Sequence, residues 1–228
     1  LQLSNVANGN LSIGGEALSL NGAGIGGTSG ALRNVVGDNS FGGVVTLASA
    51  STIMSTSGTL TLSGGTTGSN QALTIAGAGN TTIAGNMTNG TGSLTKVDAG
   101  IFTFAGTING TTGTVGATAL NAGSMVVGNG VQTTTLNTAA FSSIAGTTLT
   151  IATGGTVIAN YASGTTNFSG ALAGSGTFEK AGAGTLAFDN TFTASNLTLN
   201  ISGGTLSLQG AQITVGTIHI TGNTILDF

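Results

Sequence analysis

Apolar residues recur along this chain in short bursts with a period of two: Leu60-Thr61-Leu62, Leu73-Thr74-Ile75, Phe102-Thr103-Phe104, Leu149-Thr150-Ile151, Leu197-Thr198-Leu199, Leu206-Ser207-Leu208 and Ile218-His219-Ile220. Successive side chains of a strand point to opposite faces. Each burst therefore predicts a half-buried strand, with its Leu, Ile or Phe pair inward and Thr61, Thr74, Thr103, Thr150, Thr198, Ser207 or His219 outward. Between the bursts lie GG, NG, SGG and GAG clusters, which supply the positive-φ positions that turns require. No stretch carries a capped apolar stripe at helical spacing, so almost no helix is expected. Residues 137–144 (NTAAFSSI) come nearest, but they are few and flanked by Thr-rich strand sequence.

Short strands separated by turns could close a sandwich, a barrel or a parallel solenoid. Three features favour the solenoid. The bursts are shorter than the usual sandwich strand of about five or six residues. The turns vary in length without a hairpin rhythm, and the same small aliphatic residues recur inward, as stacked ladders require. The expectation is an all-β parallel β-helix with three short strands per coil and about 20 to 25 residues per coil. Roughly ten coils, each rising ~4.8 Å, would give a rod on the order of 50 Å long. An internal repeat supports stacking: residues 92–104 (GSLTKVDAGIFTF) align without a gap on 176–188 (GTFEKAGAGTLAF), an offset of 84. A second match, 121–127 against the region of 204–208, is offset by about 81 and needs a small indel. The chain reads as one β-helical domain over residues 1–228, either whole or as a segment of a longer repeat protein.

Composition narrows the function. Charged residues are 4% of the chain, against about a quarter in an ordinary soluble domain. Thr, Asn and Gly make up 103 of the 228 residues, so the outward positions stay hydrated without charge. Three basic residues and a net charge of -3 exclude a nucleic-acid partner, which needs several Lys or Arg in one patch. The absence of Cys removes disulfides, zinc clusters and thiol nucleophiles together, and fits export. No leader-like segment starts at Leu1, and no apolar run approaches the ~18 residues of a membrane span. A removed leader or a longer parent chain is expected.

The few groups capable of chemistry are dispersed. His219 lies between Ile218 and Ile220 and should face solvent, where a lone His is a surface residue far more often than a ligand. Glu179 and Lys180 are adjacent and should point to opposite faces of one strand. Lys96 and Lys180 occupy equivalent repeat positions and are expected as solvated caps beside Gly turns. Arg33 and Asp38 flank a short loop and could form an exposed ion pair, worth at most about 1 kcal/mol. Asp38, Asp98, Asp189 and Asp227 are far apart, with no D-x-D or GGxGxD pattern, although a cross-coil pairing of Asp98 with Glu179 or Asp189 stays open. GAGIGG at 22–27 lacks the helix that would make it a dinucleotide loop. No catalytic, cofactor-binding or metal-binding residue is assigned, and the chain is expected not to be an enzyme.

The segments GSLTKVDAGIFTFAGTING, GSGTFEKAGAGTLAFDNTFTASNLTLNISGGTLSL and LNGAGIGGTSGALRNVVGDNSFGGVVTLASASTI resemble the autotransporter-associated β-strand repeat. The resemblance covers most of the chain and implies a parallel β-helix from an extracellular or cell-surface bacterial protein. The leading expectation is a structural module, either a stalk or a fibre subunit. It would stack end to end through terminal coils near Leu1 and Phe228, where Leu1-Gln2-Leu3 and Ile225-Leu226-Asp227-Phe228 are strand-like and lack blocking charge or Pro. The alternative is a binding module for polysaccharide or ice through a Thr-rich face, with Thr59-Leu60-Thr61, Thr133-Thr134-Thr135 and Thr191-Phe192-Thr193 as candidate pairs. A host surface is a further partner to consider.

Overall fold

The computed structural model describes residues 1–4, 10–106 and 114–228. The fold is all-β: parallel sheets stacked as a β-solenoid of about nine turns. Among the described residues the helical content is one turn of 3-10 helix, Ile25–Gly27, inside the Gly-rich segment at 22–27. The NTAAFSSI segment belongs to two strands, Thr134–Thr138 and Phe141–Ser143. Thr and Phe favour the pleated surface, and neighbouring coils supply ladder partners on both sides.

Three sheets form the sides. Sheet 1 has fourteen strands, from Gln2–Ser4 to Thr224–Asp227; sheet 2 has eight, from Ser12–Ile13 to Ala171–Gly174; sheet 3 has five, from Thr134–Thr138 to Ile213–Ile220. Every strand pairing is parallel, as when each coil adds a rung to every side. The period is 21 residues where Thr59 stacks on Asn80, 23 where Ile101 stacks on Ser124, and 24 where Leu94 stacks on Thr118. In the N-terminal half the third side is counted in sheet 1, because Val45–Ser55 turns a corner without breaking. Its first part pairs with Thr66–Gly68 and its second with Leu73–Ala76. That 11-residue strand, and the 10-residue Phe192–Ile201, exceed the three to five residues expected from the apolar bursts for the same reason.

One apolar cluster fills the interior from Leu3 to Leu206. On sheet 2 its rungs read Leu62, Ile83, Phe104, Val127 and Ile151 in register. In the C-terminal half, Phe141, Phe168, Phe178, Phe188 and Phe192 form a column with neighbouring ring centroids 5.2–6.5 Å apart. Tilted and edge-on contacts of this kind add about 0.5–1.5 kcal/mol each beyond the area they bury.

The inward set holds at eleven positions: Leu60, Leu62, Leu73, Ile75, Phe102, Phe104, Leu149, Ile151, Leu197, Leu199 and Leu206 are all buried. It needs correction near the C-terminus. Leu208 is only half-buried, Ile218 and Ile220 are each 49% exposed, and His219 beside them is exposed as expected. Ile218 and Ile220 do stack on the buried Leu199 and Ile201, so the alternation holds, but they lie on the last rung of sheet 3. Ser207, expected outward and solvated, is buried, with its hydroxyl donating to Asp227 Oδ2 on the next rung at 2.9 Å.

The 84-residue repeat also has a different structural meaning from the one its length suggests. Lys96, Leu120, Ser143 and Phe168 are successive rungs of sheet 1, whereas Lys180 lies on sheet 3. The repeat therefore advances three coils and two further sides. Its conserved unit is a strand, a corner and a strand, usable at different corners of the solenoid.

Candidate functional site

The two lysines show how that corner unit works, and they overturn the expectation of solvated caps. Lys96 is 2% exposed and Lys180 fully buried. Each points inward and curls onto the two carbonyls that follow it. Lys96 Nζ donates to Val97 O at 2.6 Å and Asp98 O at 2.7 Å; Lys180 Nζ donates to Ala181 O at 3.1 Å and Gly182 O at 2.8 Å. Lys180 also reaches Gly203 O in the next coil at 2.7 Å, and its ammonium lies 5.5 Å from the Tyr161 ring centroid. The ammonium satisfies corner carbonyls, of which Val97 O, Asp98 O, Gly182 O and Gly203 O accept no backbone N–H among the described residues, while Ala181 O also accepts from Tyr161 N at 3.0 Å. Burial lowers Lys180 from its ordinary 10.5 to about 8. Lys96 falls to about 8 as well, burial outweighing the upward pull of Asp98. Glu179 points outward, as alternation requires, and accepts a hydrogen bond from Ser202 Oγ at 2.7 Å.

A second inward polar corner carries no charge. Asn34 and Asn39 are buried; Asn34 Nδ2 donates to Gly37 O, Ser55 Oγ and Ser57 O, and its Oδ1 accepts from Asn39 Nδ2 at 2.6 Å. Sequence reasoning passed over these residues. The available signal was an Asn at an inward phase next to a Gly turn, in LRNVVGDNSF.

The acids do not converge. Asp98 Oδ2 accepts from Gly77 N at 2.8 Å, and Asp189 Oδ2 accepts from Ser169 Oγ at 3.0 Å. Asp98, Glu179 and Asp189 each bind a separate local donor, so the cross-coil carboxylate pair is not formed. Arg33 and Asp38 do not pair either: Arg33 Nε donates to Thr56 Oγ1 at 3.0 Å, and Asp38 Oδ1 accepts from Thr59 N at 2.9 Å. Among the described residues no three His, Cys, Asp or Glu side chains come together, and no helix is long and apolar enough to cross a membrane.

Two surfaces stand out instead. The first is the C-terminal end. Ile201, Leu206, Leu208, Ile213, Ile218, Leu226 and Phe228 line a hollow of about 190 Å³. Phe228 is 86% exposed. The second is the outer face of the solenoid. The three Thr pairs expected from sequence lie apart. Thr59 and Thr61 belong to a strand of sheet 2, and Thr135 faces out from sheet 3 while its neighbour Thr134 is buried. Thr193 is the second residue of the long Phe192–Ile201 strand, and Thr191 lies just before it. Register nonetheless builds Thr files from other residues, such as Thr135, Thr156, Thr177, Thr198 and Thr217 on sheet 3. Comparison with protein-family models, with curated proteins and with solved structures returns no match.

Proposed function

We propose that this chain is a non-enzymatic structural module of an extracellular bacterial surface protein. It serves as a stalk or fibre subunit that stacks end to end. The observation that carries this reading is the interior: one apolar cluster runs from Leu3 to Leu206 beneath parallel ladders stacked coil on coil. At the C-terminal coil, Ile218, Ile220, Leu226 and Phe228 are exposed around an apolar hollow that a further coil would cover. Burying that surface under another coil removes apolar area from water and satisfies a row of backbone groups, each worth ~1–3 kcal/mol if left unpaired away from water. A heterologous contact of this kind does not close on itself, so repetition gives a filament. The continuous core with ladders running its length resists bending, and the charge-poor surface opposes contact weakly.

Sedimentation velocity and negative-stain microscopy test it. The expected result is a sedimentation coefficient that rises with concentration, filaments on grids, and loss of both in an Ile218→Asp, Leu226→Asp variant. A monomer at high concentration, unchanged by that variant, would overturn the assembly claim.

A further inference from the structure

We propose that the outer face of sheet 2 binds ice. Its outward positions form two files that run up successive coils. One reads Ser12, Ser40, Thr61, Thr82, Thr103, Val126, Thr150 and Ala173 in consecutive register. The other, two residues earlier in each strand, reads Thr59, Asn80, Ile101, Ser124, Thr148 and Ala171. Neighbouring rungs are ~4.8 Å apart and the two files roughly 6.6 Å apart, so eight strands present a grid about 34 Å long.

Two observations separate this face from the other two. First, from the Thr59 coil onward neither file carries Asp, Glu, Lys, Arg or His, the exposed Asp38 standing one rung before Thr59, whereas the outer face of sheet 3 carries Glu179 and His219 and that of sheet 1 carries Arg33 and Asp227. Second, its register is unbroken through all eight strands, whereas sheets 1 and 3 both contain shifts, between Leu20 and Gly22 and between Ala194 and Thr198 among others. Among the described residues the hydroxyls of Thr59, Thr61, Thr82, Thr103, Thr148 and Thr150 make no hydrogen bond and are open to a ligand, as are those of the outward sheet 3 threonines, while Ser40 Oγ donates to Ser12 Oγ at 3.0 Å.

The ligand follows from the match. A charged side chain holds its own water shell and must be stripped of it before meeting a neutral lattice, and from the Thr59 coil onward this face imposes no such cost. A repeating array of free hydroxyls, each beside a methyl, offers hydrogen bonds at fixed intervals and apolar contact between them. Ordered lattice water is a ligand with that periodicity and no charge. Polysaccharide is the weaker match. Sugar rings stack on aromatic platforms, and here Tyr161 and eight of the nine Phe are buried, the ninth being Phe228 at the far end. The inference is independent of the stacking proposal, since the end coil contributes nothing to the grid.

The test is ice-affinity partitioning and ice-recrystallisation inhibition by the full chain, with Thr103→Lys and Thr150→Lys on sheet 2 and Thr177→Lys on sheet 3. Circular dichroism and unfolding midpoints identify which variants stay folded. The two sheet 2 variants sit in different coils, so either one carries the test if the other does not fold. The wild type and Thr177→Lys are expected to enter the ice fraction and slow recrystallisation, and the folded sheet 2 variants to lose both properties. Exclusion of the wild type from ice, or retention of activity in both sheet 2 variants, would overturn the proposal. Binding to insoluble cellulose or chitin without ice activity would overturn it in favour of a polysaccharide surface.

Discussion

At the residue scale, burial of polar groups is tolerated only where the corners supply partners, and the exceptions are informative. Thr81 sits inward on sheet 2 between Leu60 and Phe102, and its Oγ1 is buried without a hydrogen bond. Thr81→Val keeps the shape and removes the orphan hydroxyl, so it should raise stability by about 1 kcal/mol in urea unfolding. The lysines make stability depend on pH in a direction opposite to that of an ordinary salt bridge. Their folded pKa values, about 8, lie below the ordinary 10.5, so between those values the unfolded chain binds more protons than the folded one. Stability therefore rises with pH through that window, by up to about 1.4 kcal/mol per pH unit for each lysine. Burial pushes the Tyr161 phenol up, which has the reverse effect once free tyrosine begins to ionise near pH ~10. Chemical denaturation at closely spaced pH values should show a maximum near pH ~10, with the rising limb reduced in Lys180→Met.

At the scale of the element, the strand–corner–strand unit is what recurs, and its glycines are placed by neighbouring coils. Gly77 adopts φ +103° and its N–H binds Asp98 Oδ2 of the next coil, while an added Cβ would strike the carbonyl oxygen of Ser55 in the coil before. Both the conformation and the clash disfavour a side chain there. Gly77→Ala should cost more than about 1 kcal/mol, measurable as a lower unfolding midpoint at unchanged m-value. The corner at Asn34 works by the same economy without charge: one amide nitrogen serves three acceptors, so Asn34→Leu strands several buried groups and should cost about 3 kcal/mol.

Across the whole molecule, a coil's contribution depends on whether another coil lies beyond it. Leu149 is fully buried in mid-solenoid, while Ile218 is 49% exposed on the last rung, although both occupy inward phases of equally clear bursts. Leu149→Ala should cost about 2–5 kcal/mol. Ile218→Ala should cost less than about 1 kcal/mol in dilute solution, since little of its surface leaves water on folding. Under assembly the second value should grow with protein concentration, because stacking buries the same residue. Unfolding curves of the two variants at low and high concentration check both statements.

The period-2 bursts and Gly clusters were enough to specify an all-β parallel solenoid, its strand phases and eleven of its fourteen inward residues, because alternation and turn chemistry are local properties of a strand. Which side of the solenoid a strand occupies is not local. It depends on the sum of corner lengths over several coils, and for that reason the 84-residue repeat places Lys96 on sheet 1 and Lys180 on sheet 3. The burial of those lysines was hidden for a related reason. A charged residue beside a Gly turn reads as solvated until the corner is seen to fold its carbonyls inward, where an ammonium is the donor that reaches them. Register between coils likewise turned scattered threonines into continuous files, since side chains 21 to 24 residues apart become neighbours only when the coils are stacked. The open end was only partly legible: the strand character of residues 225–228 was plain, but the exposure of Ile218 and Ile220 followed from their being on the final rung, a fact of tertiary position and not of pattern.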